Sequence, residues 1–112
     1  MRTPPPDLSE QQRDAARERS GFVRRARMLD KQKIKNRELD ARAVLLNPPE
    51  YWEKGRLVDL LLAIPAVGTT KCEKLLRQQQ ISPSKRLGGM TDAQRQRLVE
   101  ALGRYYPSER NL

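Results

Sequence analysis

The chain has 112 residues, with 23 Lys and Arg against 14 Asp and Glu, one Cys and no His. That length supports one modest domain with a small core, and the net charge of +9 makes a polyanion the first partner to consider. The absence of His beside a lone Cys72 excludes a Cys/His zinc site or a Cys/His nucleophilic pair within one chain.

No phosphate loop of the P-loop kind and no carboxylate motif is visible, so neither an enzyme nor a cofactor or small-molecule substrate is expected. The longest apolar run, LVDLLLAI, contains Asp59 and stops at Pro65, well short of the ~20 residues a membrane span needs. With no exported-type leader, a reducing cytoplasm fits and no membrane partner is expected.

Residues 1–8 include Pro4, Pro5 and Pro6 and read as a flexible arm, since proline lacks the amide donor and favours extended backbone. Ser9 with Gln12 forms a capping-box pattern that predicts a helix from about Glu10 to Asn36. Phe22, Ala26 and Leu29 recur at helical spacing as its expected apolar side. Arg24, Arg27, Lys31 and Lys35 form a second stripe within seven basic residues between Arg24 and Arg37, opposed only by Asp30. Such density fits a phosphate-tracking face, and equally a solvated one.

A second, shorter helix over 38–46 is expected to turn Leu39, Ala43 and Leu46 to the core before Asn47-Pro48-Pro49 stops it. Trp52 is expected in the core rather than stacked on a base. Leu57, Leu60, Leu61 and Ile64 predict a central third helix, widened by Val58 and Leu62. Cys72, Leu75 and Leu76 predict a fourth, with Cys72 a small buried hydrophobe. Thr91 and Gln94 form another capping box ahead of a last helix with Leu98, Ala101, Leu102 and Tyr105 inward. No strand pattern or internal repeat stands out, and the fold class is all-α.

Two turns carry the chemistry. In IPAVGTTK, Gly68 is expected to supply a left-handed backbone, while Thr69 or Thr70 caps the next helix or meets a phosphate, and Lys71 adds charge. Amides left unpaired at that helix start favour an anion, although an ordinary helix-to-helix turn would read the same. In SPSKRLGG, the residues Ser82, Ser84, Lys85, Arg86, Gly88 and Gly89 form a plausible backbone clamp. An exposed basic loop would have the same composition.

The run from Lys54 to Leu102, KGRLVDLLLAIPAVGTTKCEKLLRQQQISPSKRLGGMTDAQRQRLVEAL, resembles the actinobacterial integration host factors. Their signature is a leucine-rich helix, Leu-Pro-Gly-Val-Gly, a basic helix, then Ile-x-x-x-Arg-Arg-x-Arg-Gly-Leu-Gly. The likeness extends more loosely to the proline-led arm and the Arg-rich first helix. It implies a long N-terminal helix plus a compact helix-two-turn-helix domain, divided as an arm 1–8, basic helices 9–46, a DNA-binding domain 47–107 and a tail 108–112. It also implies binding of duplex DNA with little sequence preference, bending or compaction of that DNA, a place in the nucleoid, and an integrase or nucleoprotein complex as a further partner.

Carried over by position, Pro65, Val67 and Gly68 would form the first hairpin, Lys71 and Lys74 would flank it, and Ser84, Lys85, Arg86 and Gly89 would form the second phosphate-facing turn. Ala66, Thr69 and Gly88 depart from the family pattern, each removing charge or backbone freedom. An RNA-binding module of the ribosomal type and a protein adaptor are the rival readings. A glycosylase lacks support, because the related enzymes begin Pro-Glu and carry a cysteine zinc finger.

Overall fold

Why an all-helical chain with so few aromatics packs at all is answered by its leucines. The structure, a computed structural model, describes residues 6–106. It contains α1 (Pro6–Lys35), α2 (Ala41–Leu46), α3 (Leu57–Leu62), α4 (Thr69–Gln78) and α5 (Asp92–Leu102), with 3-10 turns at Glu50–Trp52, Leu87–Gly89 and Gly103–Tyr105. No strand occurs among the described residues; a single antiparallel bridge joins Arg56 and Arg86. Trp52, Leu57, Leu60, Leu61, Leu87, Leu98 and Leu102 are completely inaccessible, so the third helix is the centre of the core, as its spacing predicts.

The first helix starts earlier than expected. Pro6 occupies its first position, where the missing amide costs nothing because it would have no intrahelical acceptor, so Ser9 lies inside the helix span. Residues 6–8 thus belong to α1, while residues 1–5 of the predicted arm and the whole 108–112 tail lie outside the described residues. At the other end, the Glu38 amide donates to Lys33 O at 2.8 Å and the Arg37 amide to Ile34 O at 3.1 Å. Arg37 is left-handed with φ 64°. Together these make a Schellman stop.

α1 docks through a stripe that shares only Ala26 with the predicted one. Phe22 and Leu29 are 56% and 51% exposed, whereas Val23, Ala26, Arg27, Asp30 and Ile34 turn inward. That stripe contains two charges, so apolar periodicity alone passes over it. Asp30, only 8% exposed, accepts hydrogen bonds from the Tyr51 hydroxyl and the Trp52 indole N–H, both at 2.9 Å. Arg27 donates from Nε to Tyr51 O at 2.6 Å.

α2 corrects the predicted face as well. Asp40 caps it by accepting from the Arg42 amide, which places Leu39 ahead of the helix, where it still packs against the core as expected. Ala41, Val44 and Leu45 are buried, while Ala43 is exposed and Leu46 is 50% exposed. α2 packs on α5, and Ile34, Ala41, Val44 and Leu45 share one apolar cluster with α3, α4 and α5. A domain boundary at 46/47 would cut through that cluster.

In α3, Val58 is half-buried but Leu62 is 41% exposed, so the widening of the apolar face is one-sided. α4 buries Cys72, Leu75 and Leu76, and burial pushes the Cys72 thiol above its ordinary pKa, with Glu73 adding to the rise. It ends in a second Schellman stop: Ile81 N to Leu76 O at 2.8 Å and Gln80 N to Arg77 O at 3.1 Å, with Gln80 at φ 57°. α5 opens on the expected capping box, Thr91 and Gln94 each accepting from the other's amide.

Candidate nucleic-acid interface

The first turn is built from Ile64, Pro65, Ala66 and Val67, closed by the Val67 amide on Ile64 O at 3.1 Å. Pro65 fixes the second residue and Ala66 stands third with φ 73°, which defines a type II turn, the geometry that calls for glycine at that place. The left-handed residue is therefore Ala66 and not Gly68, whose φ of −94° and ψ of −174° are extended backbone open to any residue. Alanine in that conformation costs about 1–2 kcal/mol, while glycine there brings back only ~0.4–1 kcal/mol of unfolded-chain entropy. Ala66→Gly is expected to raise the unfolding free energy by ~0.5–1 kcal/mol in urea denaturation; an unchanged midpoint would show that the turn is unstrained.

Val67 is buried, 5% exposed, so its side chain anchors the hairpin to the core and does not face a ligand; Pro65 is half-buried. α4 then starts after Gly68 with no side chain capping it. The first intrahelical donor is the Cys72 amide, on Gly68 O at 2.9 Å. The amides of Thr69, Thr70 and Lys71 precede it and have no acceptor within the helix. Thr69, Thr70, Lys71 and Lys74 are exposed, so the positive end of the helix dipole and two ammonium groups present themselves together.

The second turn is bolted to the segment before α3. Leu57 N donates to Lys85 O, Leu87 N to Gly55 O, and Gly88 N to Glu53 O, at 3.0, 3.0 and 2.8 Å. A Cβ on Gly88 would lie 2.9 Å from the Glu53 carbonyl oxygen, so the arginine usual at this position would collide with backbone. Gly88 is thus explained by close packing, although it remains exposed on its outer side. Because the turn meets the start of α3 while the first turn follows its end, the two lie at opposite ends of the α3–α4 pair.

Its polar groups are already engaged. The Ser84 amide donates to Ser82 Oγ at 3.2 Å, Lys85 Nζ donates to Gly89 O at 3.3 Å, and Arg86 Nη1 donates to Lys54 O. Ser84, Arg86 and Gly89 are exposed and Lys85 is half-buried, so these groups hold the loop in shape while facing solvent. On α1, Arg24 and Lys35 are exposed, Lys31 is half-buried, and Arg27 is turned inward towards Tyr51 and Trp52.

Two functional supports escape the sequence reading. Arg95, half-buried on α5, donates to Leu45 O and Leu87 O at 2.8 Å each and to Met90 O at 3.3 Å. It therefore joins the last turn of α2 to both flanks of the second turn. Asp30 fixes α1 against Tyr51 and Trp52. The signal for both is their register: Arg95, Leu98 and Leu102 fall at i, i+3, i+7, and Asp30 lies four residues before Ile34.

Among the described residues, no helix is long and apolar enough to cross a membrane and no group of His, Cys, Asp and Glu could hold a metal ion. Residues 34–102 match the S13-like H2TH domain model. The chain is 35% identical over 100 residues to the integration host factor of Mycobacterium tuberculosis, covering 88% of this chain and 95% of that one. It is 35% identical over 97 residues to the integration host factor of Mycolicibacterium smegmatis, covering 85% and 92%. Its fold is shared with a solved structure of sIHF bound to an 8bp palindromic DNA, with a TM-score of 0.66 and 24% identity, covering 78% of this chain and 96% of that one. With the helix-two-turn-helix elements in place and the likeness running nearly end to end, the chain belongs to the integration host factor family.

Proposed function

We propose that this protein is an architectural, non-catalytic binder of duplex DNA that grips phosphates with little regard for sequence. The observation that carries this reading is the uncapped start of α4, where three amides without helical acceptors stand beside exposed Thr69, Thr70, Lys71 and Lys74. Its family supports it: two relatives are named integration host factors, and a neighbour of the same fold is described as bound to DNA. The second turn supplies Ser84, Lys85, Arg86 and Gly89 at the other end of the α3–α4 pair, and Arg24, Lys31 and Lys35 extend the positive surface along α1.

Holding backbone at two separated points rewards DNA that curves towards the protein, against a deformation cost of about 1–6 kcal/mol. Bending or compaction of the DNA, and a place in the nucleoid beside an integrase or another nucleoprotein complex, are what the family resemblance suggests, and two separated grips are compatible with a bend. The binding is dominated by counterion release. Five phosphates neutralised would give a slope of log affinity against log salt of about −4 to −5. Anisotropy of labelled duplex across a salt series measures it, with hairpin RNA as competitor. Lys85→Ala/Arg86→Ala should flatten the slope by about 2, measured beside an unfolding curve because both side chains also brace the loop. A slope near zero, or preference for RNA, would overturn the reading.

A further inference from the structure

Between α1 and the Glu50–Trp52 turn lies an open cleft of about 850 Å³, which the two phosphate-facing turns do not use. Phe22 stands in it with 56% of its surface exposed, touching Tyr51 edge-on with ring centroids 6.1 Å apart at 86°. Phe22 as a residue is thus more than half exposed, which leaves surface for a planar partner. Arg19 and Arg24 on α1 and Lys54 opposite supply cations at the cleft, and Lys54 is tied through its carbonyl to Arg86 of the second turn. The cleft is therefore continuous with the basic surface.

Its lining also includes Glu50 and Glu53. Two carboxylates would repel a phosphate run, so tracking of the duplex backbone does not account for them. They suit the amino edge of a nucleobase, which needs hydrogen-bond acceptors. An aromatic face, acceptors beside it and cations at the rim are the three groups that a nucleotide out of its stack requires.

We infer that this cleft receives an unpaired nucleobase stacked on Phe22, with the flanking phosphates at Arg19, Arg24 and Lys54 and the amino edge at Glu50 and Glu53. The inference rests on the DNA-binding reading above and adds a preference to it: distorted DNA over fully paired DNA. Extracting a paired base costs a few kcal/mol, whereas a bulged base enters without that cost.

The test uses the full chain and a duplex carrying one bulged 2-aminopurine, compared at fixed salt with a paired duplex of the same length. The wild type is expected to bind the bulged duplex about five-fold or more tightly, the lower end for one base–aromatic stack, and to quench the 2-aminopurine. Phe22→Ala should lose both effects while keeping its affinity for paired duplex within about two-fold and its Trp52 emission unchanged; Phe22→Trp should retain them. A separate titration with 2-aminopurine riboside monophosphate distinguishes the source of the base. Phe22-dependent quenching there assigns the cleft to free nucleotides, and its absence beside a bulge preference assigns it to DNA. Equal affinities with no quenching in either titration, or a preference that survives Phe22→Ala, would overturn the inference while intact binding of paired duplex left the architectural reading standing. Were the wild type to bind no duplex at all, that reading would fall and the nucleotide titration would decide the cleft alone.

Discussion

Arg95→Ala is expected to lower the unfolding free energy by about 3 kcal/mol, among the larger single effects available in this chain. Hydrogen bonds from a charged donor contribute about 1.5–3 kcal/mol each, and not additively when they share one group. The Arg95 guanidinium makes three, to Leu45 O, Leu87 O and Met90 O. Truncation would leave the final turn of α2 and both flanks of Gly88 and Gly89 without their common donor. Arg95→Lys keeps the charge, but a single nitrogen cannot reach from α2 to the second turn in the way a planar fork does, so it should recover less than half of the loss. Arg97→Ala on the exposed side of the same helix makes the same charge change and should stay within about 0.5 kcal/mol. Urea denaturation of the three variants gives the comparison, and equal losses at 95 and 97 would refute the bracing role. Amide exchange at Gly88 and Gly89 should accelerate in Arg95→Ala, since their turn is what the guanidinium holds.

Both supports left a trace in the sequence that apolar counting discards. The leucines of α3 and α4 were legible because strong apolar spacing and burial coincide there: Leu57, Leu60, Leu61 and Ile64 all lie within the core. α1 and α2 misled for two physical reasons. In α2, the carboxylate of Asp40 starts the helix at Ala41, three residues later than expected, and packing against α5 buries Ala41, Val44 and Leu45 in place of Ala43 and Leu46. In α1, the neighbouring surface offers an indole N–H and a phenol, so the complementary residue on the helix is an acid and not a leucine. Sequence likewise placed the glycine-like conformation of the first turn on Gly68, because only glycine adopts it without strain. The hydrogen bond that closes the turn puts it on Ala66 instead. The exposed cationic side chains were legible by type, but which of them are engaged depended on contacts between segments far apart in sequence, such as Arg86 with Lys54 and Arg27 with Tyr51.

Asp30→Ala is expected to cost about 3 kcal/mol and to loosen α1 from the rest of the molecule. Its carboxylate is the acceptor for both Trp52 Nε1 and the Tyr51 hydroxyl; the indole N–H is fully buried, and an orphaned buried donor carries a penalty of about 1–3 kcal/mol by itself. Asp59→Ala removes the same charge from an exposed site and serves as the control. Asp30→Asn keeps an acceptor oxygen and should cost about half as much. Tyr51 gives an independent readout. Its pKa is raised from 10.0 by burial first, then by the hydrogen bond to Asp30 and the proximity of that carboxylate. A raised folded-state value means that the folded protein holds the phenol proton more tightly. The resulting stabilisation is complete below about pH 10 and is lost as pH rises through the raised value. Removing Asp30 deletes two of the three causes, so the phenolate absorbance of Tyr51 should appear at lower pH and the alkaline loss of stability should flatten. Trp52 emission should shift to the red as its indole gains water. If Asp30→Ala matched Asp59→Ala in stability and left the tyrosine titration in place, Ile34 and the Arg27 contact with Tyr51 would hold α1 without help from Asp30, and the position of its basic face relative to the two turns would not depend on that carboxylate.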